Sequence, residues 1–275
     1  NWASGNLAGA NTEGDSNAAW GFAAGAFVKG DGNIGMGTSA GASVVGSGNA
    51  AIGQGAGLGT HGDANLAIGA GAGSNAKGNG NVALGQNAGL AADGNENIAL
   101  GQTAGALVSG NRNLAIGSAA GLAGDVAAGN ITPTTASDTI ALGTQAFANA
   151  ERAIAIGTGA QALGTQSISI GTGNVVNGNN SGAIGDPTVI DGANSYSVGN
   201  NNTLGAAASN TFVLGNNVKV NVANATALGD STGVTVADGV ALGSKSVAST
   251  DKGVGGFVPA TGLASTDTSA TWKST

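Results

Sequence analysis

Cysteine is absent from this sequence, so it can contain neither a disulfide framework nor a thiolate metal site. Charge is scarce: 8% of the residues are charged, only 8 are Lys or Arg, and the net charge is −7. Phosphate backbones are held by clustered cations, and with none here the composition argues against nucleic acid as a partner. Histidine occurs once, at His61, which leaves a Ser-His-Asp triad or a multi-His metal site without support. Aromatic residues make up only 3%, so a core must come from many small pieces rather than one aromatic-rich centre. No apolar run reaches the length of a membrane helix, and no charged-then-apolar start marks a signal peptide. Because Asn1 already lies inside the repeat described next, the sequence is expected to be a segment of a longer chain.

Glycine, by contrast, occurs 53 times in 275 residues. That falls short of the one-third that collagen needs, and there is no Gly-X-Y period. Disordered chains combine low hydrophobicity with high charge, whereas this chain has a slightly positive mean hydropathy and should fold.

An apolar-x-apolar-Gly signature ends at Gly21, Gly37, Gly53, Gly69, Gly85, Gly101 and Gly117, in steps of 16, with Gly5 one step earlier. After a 26-residue jump it resumes at Gly143 and continues through Gly157, Gly171, Gly185, Gly199, Gly215, Gly229 and Gly243, all in steps of 14 except one of 16. Sixteen coils result. In the first block Asn always stands four residues before the signature Gly, from Asn17 to Asn113, and stacked amides can hydrogen-bond along an axis. Another Gly always stands seven before it, from Gly14 to Gly110, and an Ala-Gly pair follows it. An invariant internal Gly implies a demanding backbone conformation.

Each repeat reads as a strand such as Asn81-Val82-Ala83-Leu84, a turn at Gly85, a second short strand and a second turn. The fold class is therefore all-β: a parallel β-roll or solenoid of 14–16-residue coils, two-sided because 14 residues are too few for a three-sided coil. The organisation is a β-roll at 1–121, an insertion at 122–139, a second β-roll stretch at 140–244 and a connector at 245–275. Alternation sends Val82 and Leu84 to one face and Ala83 to the other, so both faces are apolar. One fills the roll. The other leaves a long apolar stripe that a second copy in the same register would cover economically. Ala is expected inside, with Val82, Leu84, Ile98, Leu100, Ile154, Ile156, Val198 and Leu214 at a subunit interface; the opposite parity stays open.

Asn194-Ser195-Tyr196-Ser197-Val198-Gly199, Asn81-Val82-Ala83-Leu84-Gly85 and Ala153-Ile154-Ala155-Ile156-Gly157 resemble the Asn-Ser-Val-Ala-Ile-Gly motif of trimeric autotransporter adhesin heads of the YadA-like class. The resemblance covers about Asn1 to Ser244, and the tail from Ser246 to Thr275, with Trp272, resembles the segment that leads to a Trp-ring, neck and stalk. It implies a left-handed roll, a homotrimer, and a bacterial outer-membrane anchor through a C-terminal part beyond this chain. It also implies adhesion: binding of collagen, fibronectin, laminin or a cell-surface receptor, or autoagglutination and biofilm formation. The 16-residue coils and Ser197 in place of the motif Ala depart from the pattern.

Candidate sites are few. The insertion offers Asp125, Asn130, Thr132 and Thr134, because insertions in solenoids emerge as loops and often bind ligands. His61 reads as a solvated turn residue. The column Asp15, Asp31, Ser47, Asp63, Asn79, Asn95 and Asn111 could suit calcium but more simply caps turn amides. Trp2 and Trp20 read as a cover for the first coils. Gly69-Ala70-Gly71-Ala72-Gly73 mimics a dinucleotide loop in composition only. No cofactor, metal or catalytic residue is expected, and no membrane contact by this segment. The reading is a non-enzymatic adhesin head; the rivals are a structural spacer, an ice-binding solenoid lacking its Thr-x-Thr column, and a hexapeptide acyltransferase opposed by the repeat length.

From the parity argument, Leu84→Asp should disrupt assembly or the coil, whereas Gln86→Asp should be mild. Thermal unfolding of both variants checks this; equal destabilisation would refute the parity.

Overall fold

The computed structural model describes residues 1–125, 129–251, 257–258 and 261–264. They form two compact units, Asn1–Ala162 and Leu163–Thr275, divided within the 14-residue repeats rather than at the insertion. Among the described residues every element is a strand, and no helix is long and apolar enough to cross a membrane.

Within the first unit one parallel sheet is built from the signature strands: β1 (Trp2–Ser4), β2 (Ala18–Trp20), β3 (Ile34–Met36), β4 (Ala50–Ile52), β5 (Leu66–Ile68), β6 (Val82–Leu84), β7 (Ile98–Leu100), β8 (Leu114–Ile116), β11 (Ile140–Leu142) and β13 (Ile154–Ile156). Each residue pairs with its own equivalent one coil on, as Val82 with Ile98 and Ala83 with Ala99. The central Ala of these strands is buried, at 4% or less exposed from Ala51 to Ala155. Its flanking Val, Ile and Leu point outward. The parity is therefore Ala inside.

The interior must be thin, and glycine shows how thin. A Cβ on Gly57, the Gly of one Ala-Gly pair, would lie 2.9 Å from the Ala51 Cβ across the roll. On Gly62, seven before a signature Gly, it would lie 2.1 Å from the Gly78 carbonyl oxygen one coil on, at a φ of +137°. Backbones approach along the axis and across it, and both approaches need glycine.

The second side of the 16-residue coils differs from the expected short strand. Positive φ recurs at alternate residues, as at Ala23, Gly25 and Phe27 or Asn87, Gly89 and Ala91. N–H groups then point alternately to the coils on either side: Ala23 donates to the Asn6 carbonyl and Gly25 to that of Ala40. Only single-residue bridges remain, through Glu13, Lys29, Val45, His61, Lys77, Asp93 and Ser109. Genuine second strands begin with the 14-residue coils, at β12 (Phe147–Ala148) and β14 (Gln161–Ala162). A shorter coil lacks the residues for the alternating turn and spans the same gap extended.

The insertion is a hairpin, β9 (Leu122–Asp125) antiparallel to β10 (Asn130–Pro133). It leaves the coil after Gly121, and Thr134 rejoins it, donating its N–H to the Gly121 carbonyl. Removing the 12 residues from Leu122 to Pro133 from the 26-residue step leaves 14, so the shorter coil length starts here.

The second unit carries six signature strands, β15 (Ile168–Ile170), β17 (Gly182–Ile184), β19 (Tyr196–Val198), β21 (Phe212–Leu214), β23 (Thr226–Leu228) and β25 (Val240–Leu242). Its second sheet is β16 (Val175–Val176), β18 (Thr188–Ile190), β20 (Asn202–Leu204), β22 (Lys219–Val220), β24 (Gly233–Val234) and β26 (Val247–Ala248). True strands on both sides leave room for larger core residues: Val176, Ile190, Leu204, Val220 and Val234 are buried where the first unit holds mostly Ala. Beyond Asp251 only β27 (Phe257–Val258) and β28 (Leu263–Ala264), an antiparallel pair, are described, so Trp272 and most of the connector lie outside the described residues.

The Asn column is a continuous side-chain ladder. Asn65 donates its backbone N–H to Asn49 Oδ1 at 2.9 Å and its Nδ2 to the Gly78 carbonyl at 2.9 Å. Asn65 thus joins three coils through its backbone N–H on one side and its amide on the other. In the second unit a hydroxyl stands there from Ser167 to Thr211: Ser181 Oγ accepts from the Ser195 N–H and Ser195 Oγ from the Thr211 N–H, both at 3.0 Å.

Asn81→Ala would leave the Asn97 N–H and the Gly94 carbonyl without their partner and should cost about 1–3 kcal/mol. Ala83→Leu, forced into the thin interior, should cost at least about 1–3 kcal/mol. Urea unfolding midpoints of the two variants against the parent check both values.

Candidate functional site

Three surfaces carry what chemistry the fold displays: the outer face of the signature sheet, the insertion hairpin and the turn edge. On the first, strand register lines up Val82, Ile98, Leu114, Ile140 and Ile154 in one column and Leu84, Leu100, Ile116, Leu142 and Ile156 in the next. Ile98 is 39% exposed, and Val82, Leu84, Leu100, Ile154 and Ile156 are half-buried. In the second unit the same face carries Val198 and the exposed Leu214, together with Tyr196 and Phe212. The Tyr196 ring lies over Gly182, whose missing side chain makes room for it. All the expected interface residues therefore share the outward face of their unit.

The hairpin separates its candidates. Asn130 and Thr132 alternate outward along β10 and are exposed, while Ile131 between them packs with Leu90, Ala106, Ala119 and Leu122. Thr134 corrects the expectation. It is 1% exposed, and its hydroxyl donates to the carbonyls of Gly121 and Ala148, so it rebuilds the coil rather than facing a ligand. The side chain of Asp125 lies outside the described residues.

The turn column that resembled a calcium site is a chain of caps. Asp31 Oδ1 accepts from the Asp15 N–H, Asp63 Oδ1 from Ser47 and Asn79 Oδ1 from Asp63, each at 2.7 Å. Every such oxygen is turned to a backbone N–H one coil back. His61 is exposed with Nδ1 2.9 Å from the Gly59 carbonyl, flanked through backbone bridges by Val45 and Lys77. The Trp2 and Trp20 rings meet edge-on with centroids 4.3 Å apart, and Trp2 remains 56% exposed.

One column escaped the sequence reading. Five residues before each signature Gly a residue with positive φ projects from the turn edge, and in four consecutive coils it is Glu96, Arg112, Asp138 and Arg152. The hairpin interrupts the 16-residue spacing between the second and third, so the alternation of sign was hidden until the coils were aligned. The Arg112 guanidinium holds Asp138 through Nε at 2.5 Å and Nη2 at 2.9 Å. Chiefly through this hydrogen bonding, the Asp138 carboxyl lies below its ordinary range and the Arg112 pKa is raised.

Comparison with models of known protein families and with curated proteins gave no match.

Because the Asp138 carboxyl is lowered in the folded state, its stabilising contribution is complete above the ordinary carboxylate value of 3.8 and is lost as pH falls through the lowered value. Both groups are exposed, so the effect is small. The melting temperature of the parent should fall slightly more steeply on acidification than that of Asp138→Asn, as scanning calorimetry across the acid range would show.

Proposed function

We propose that this chain is the adhesive head of a bacterial surface fibre, with three copies packed in register through the outer apolar columns of the signature sheet. The observation that carries this reading is that outer face. Ile34, Met36, Ile52, Ile98 and Leu142 in the first unit and Ile184, Leu214 and Leu242 in the second are 39–71% exposed. Apolar patches of this extent are rarely left to solvent and mark an interface. Because every coil offers the same two columns, another copy of the chain fits in the same register, and rotational symmetry closes the assembly. The resemblance to trimeric adhesin heads supplies the number three and the left-handed winding.

In this reading the assembly has no enzymatic role and stands on the outer membrane through a C-terminal part beyond this chain. Its turn edges and hairpins present Asn130, Thr132 and the polar columns to a partner. That partner is a host matrix protein (collagen, fibronectin or laminin), a cell-surface receptor, or a like head in autoagglutination and biofilm. Three copies of a weak site on one scaffold can raise apparent affinity by about 10²-fold or more when they engage together. The spacer reading is supported by the uniformity of the coils, which carry no deep cleft on the outer face. Deletion of whole coils without loss of adhesion would select it.

Light scattering across a dilution series should return a mass near three times 25.5 kDa that survives dilution. A stable monomer would overturn the trimeric head. Immobilised matrix proteins should then capture the trimer, and capture by none of them, with no agglutination of cells displaying it, would leave the spacer.

A further inference from the structure

Inside the first unit, the column seven residues after each signature Gly is buried throughout and reads Val28, Val44, Thr60, Ala76, Ala92 and Val108. Where Ala stands in place of Val, the two γ-methyls are missing and the thin roll cannot collapse onto the gap, because its width is set by backbone stacking. A cavity of about 30 Å³ lies there, lined by Ala76 and Ala92 with Asn81, Ala83, Gly89 and Ala99, and ending against Thr60 and Val108. Between Val44 and Thr60 the same space shrinks to about 10 Å³. The cavity is thus opened by the column itself.

Two independent features thin the bonding at the same coils. Asn33, Asn49 and Asn65 each donate Nδ2 to the Oδ1 of the preceding Asn at 3.0 to 3.1 Å. That amide-to-amide bond ends there, and Asn81 and Asn97 keep only the bonds through their backbone N–H and to a glycine carbonyl. On the second side, Gly55, Gly59 and Gly71 stand where other coils hold Ser39, Ser43, Thr103 and Leu107. Glycine loses the most conformational freedom on ordering, so these coils gain the most by opening. Both flanks are better packed, by Val28 and Val44 on one side and by the hairpin cluster of Leu90, Ala106, Leu122 and Ile131 on the other. The Lys77–Asp93 pair spans the gap from outside at 4.0 Å, but both side chains are exposed and such pairs contribute little.

We propose that the joint between the Ala76 coil and the Ala92 coil is the weakest coil-to-coil contact inside the first unit, and the place where the roll opens first away from its ends. A repeat array is held by the sum of its nearest-neighbour interfaces, so one thin interface localises opening. The hydrogen bonds that cross this joint include those from the N–H groups of Leu66, Gly73, Lys77 and Gly85 to the carbonyls of Asn81, Ala88, Ala92 and Ile68. Opening here divides the unit into two stacks that each keep their own packing. The device lies in the interior of one chain and rests neither on the adhesive reading nor on trimerisation.

Hydrogen–deuterium exchange of the intact protein, resolved to single amides, tests it. The N–H groups of Leu66, Gly73, Lys77 and Gly85 should exchange at least about tenfold faster than their equivalents Ile34, Gly41, Val45 and Gly53, which cross the Val44 joint in the same pattern. Ala76→Val and Ala92→Val place in the cavity the side chain that Val44 and Val108 already carry in this column. Each should raise the melting temperature and slow exchange across the joint. Ala88→Val adds the same methyls at a fully buried position that does not line the cavity, and should lower the melting temperature. Equal exchange at the two joints, faster exchange at another internal joint of the unit, or a lower melting temperature for both cavity-filling variants would each overturn the proposal. Exchange of the parent needs no substitution, so it decides the matter even if a Val variant does not fold.

Discussion

In a parallel coil of constant length every residue lies against its own equivalent about 4.8 Å away, and that repeat constrains each position separately. A side chain is tolerated only if it can be stacked on itself. Ala on Ala can, as can an Asn whose backbone N–H meets the amide oxygen one coil back while its own amide takes an N–H and meets a carbonyl one coil on. The Asn ladder is the strongest expression of this, since from Asn17 to Asn97 each amide takes the N–H of the next Asn at its oxygen and reaches a glycine carbonyl of that same next coil through its nitrogen. Charges alternate in sign along the projecting column Glu96, Arg112, Asp138 and Arg152. The glycines seven before the signature position complete the set, because their carbonyls approach so closely that a Cβ is excluded.

The same constraint decides what is left outside. Where the signature strand packs against the Ala-Gly pair the first unit admits only Ala inside, with larger side chains buried at Val28, Val44 and Val108 on the second side, so the Val, Ile and Leu of the signature strand go to its opposite face. Apolar surface that would form the core of an ordinary domain becomes the exterior. The thinness of the coil thus leaves the apolar face on which the proposed assembly rests.

The run of 16-residue coils ends at one place, and the hairpin Leu122–Pro133 marks it. Before it, alternating positive φ carries the chain along the second side without strands; after it, strands of two or three residues do so. At the same point the capping residue changes from Asn113 to Thr139, whose hydroxyl and N–H both meet Asn113 Oδ1. A shorter turn brings the backbone closer, and a hydroxyl reaches where an amide was needed. The Arg112–Asp138 pair spans the step in which the hairpin is inserted and ties the two coil types together.

Periodicity made much of this legible in advance. Strict recurrence of Asn, Gly and Ala-Gly identified the coils, the parallel register, the amide column and the capping role of the Asp/Asn column, because a stacked repeat writes each contact into the sequence as a column. Alternation separated Ala83 from Val82 and Leu84 and favoured Ala inside, and the structure decided between the two parities. The tertiary structure decided what depends on the path between columns. The second side of the longer coils is an alternating turn, since several backbone paths satisfy the same spacing. Thr134 is buried because the hairpin closes before it, a boundary that no repeat marks. The Glu96–Arg112–Asp138–Arg152 column was hidden because an insertion displaces equivalent residues in sequence while the coil keeps them adjacent in space.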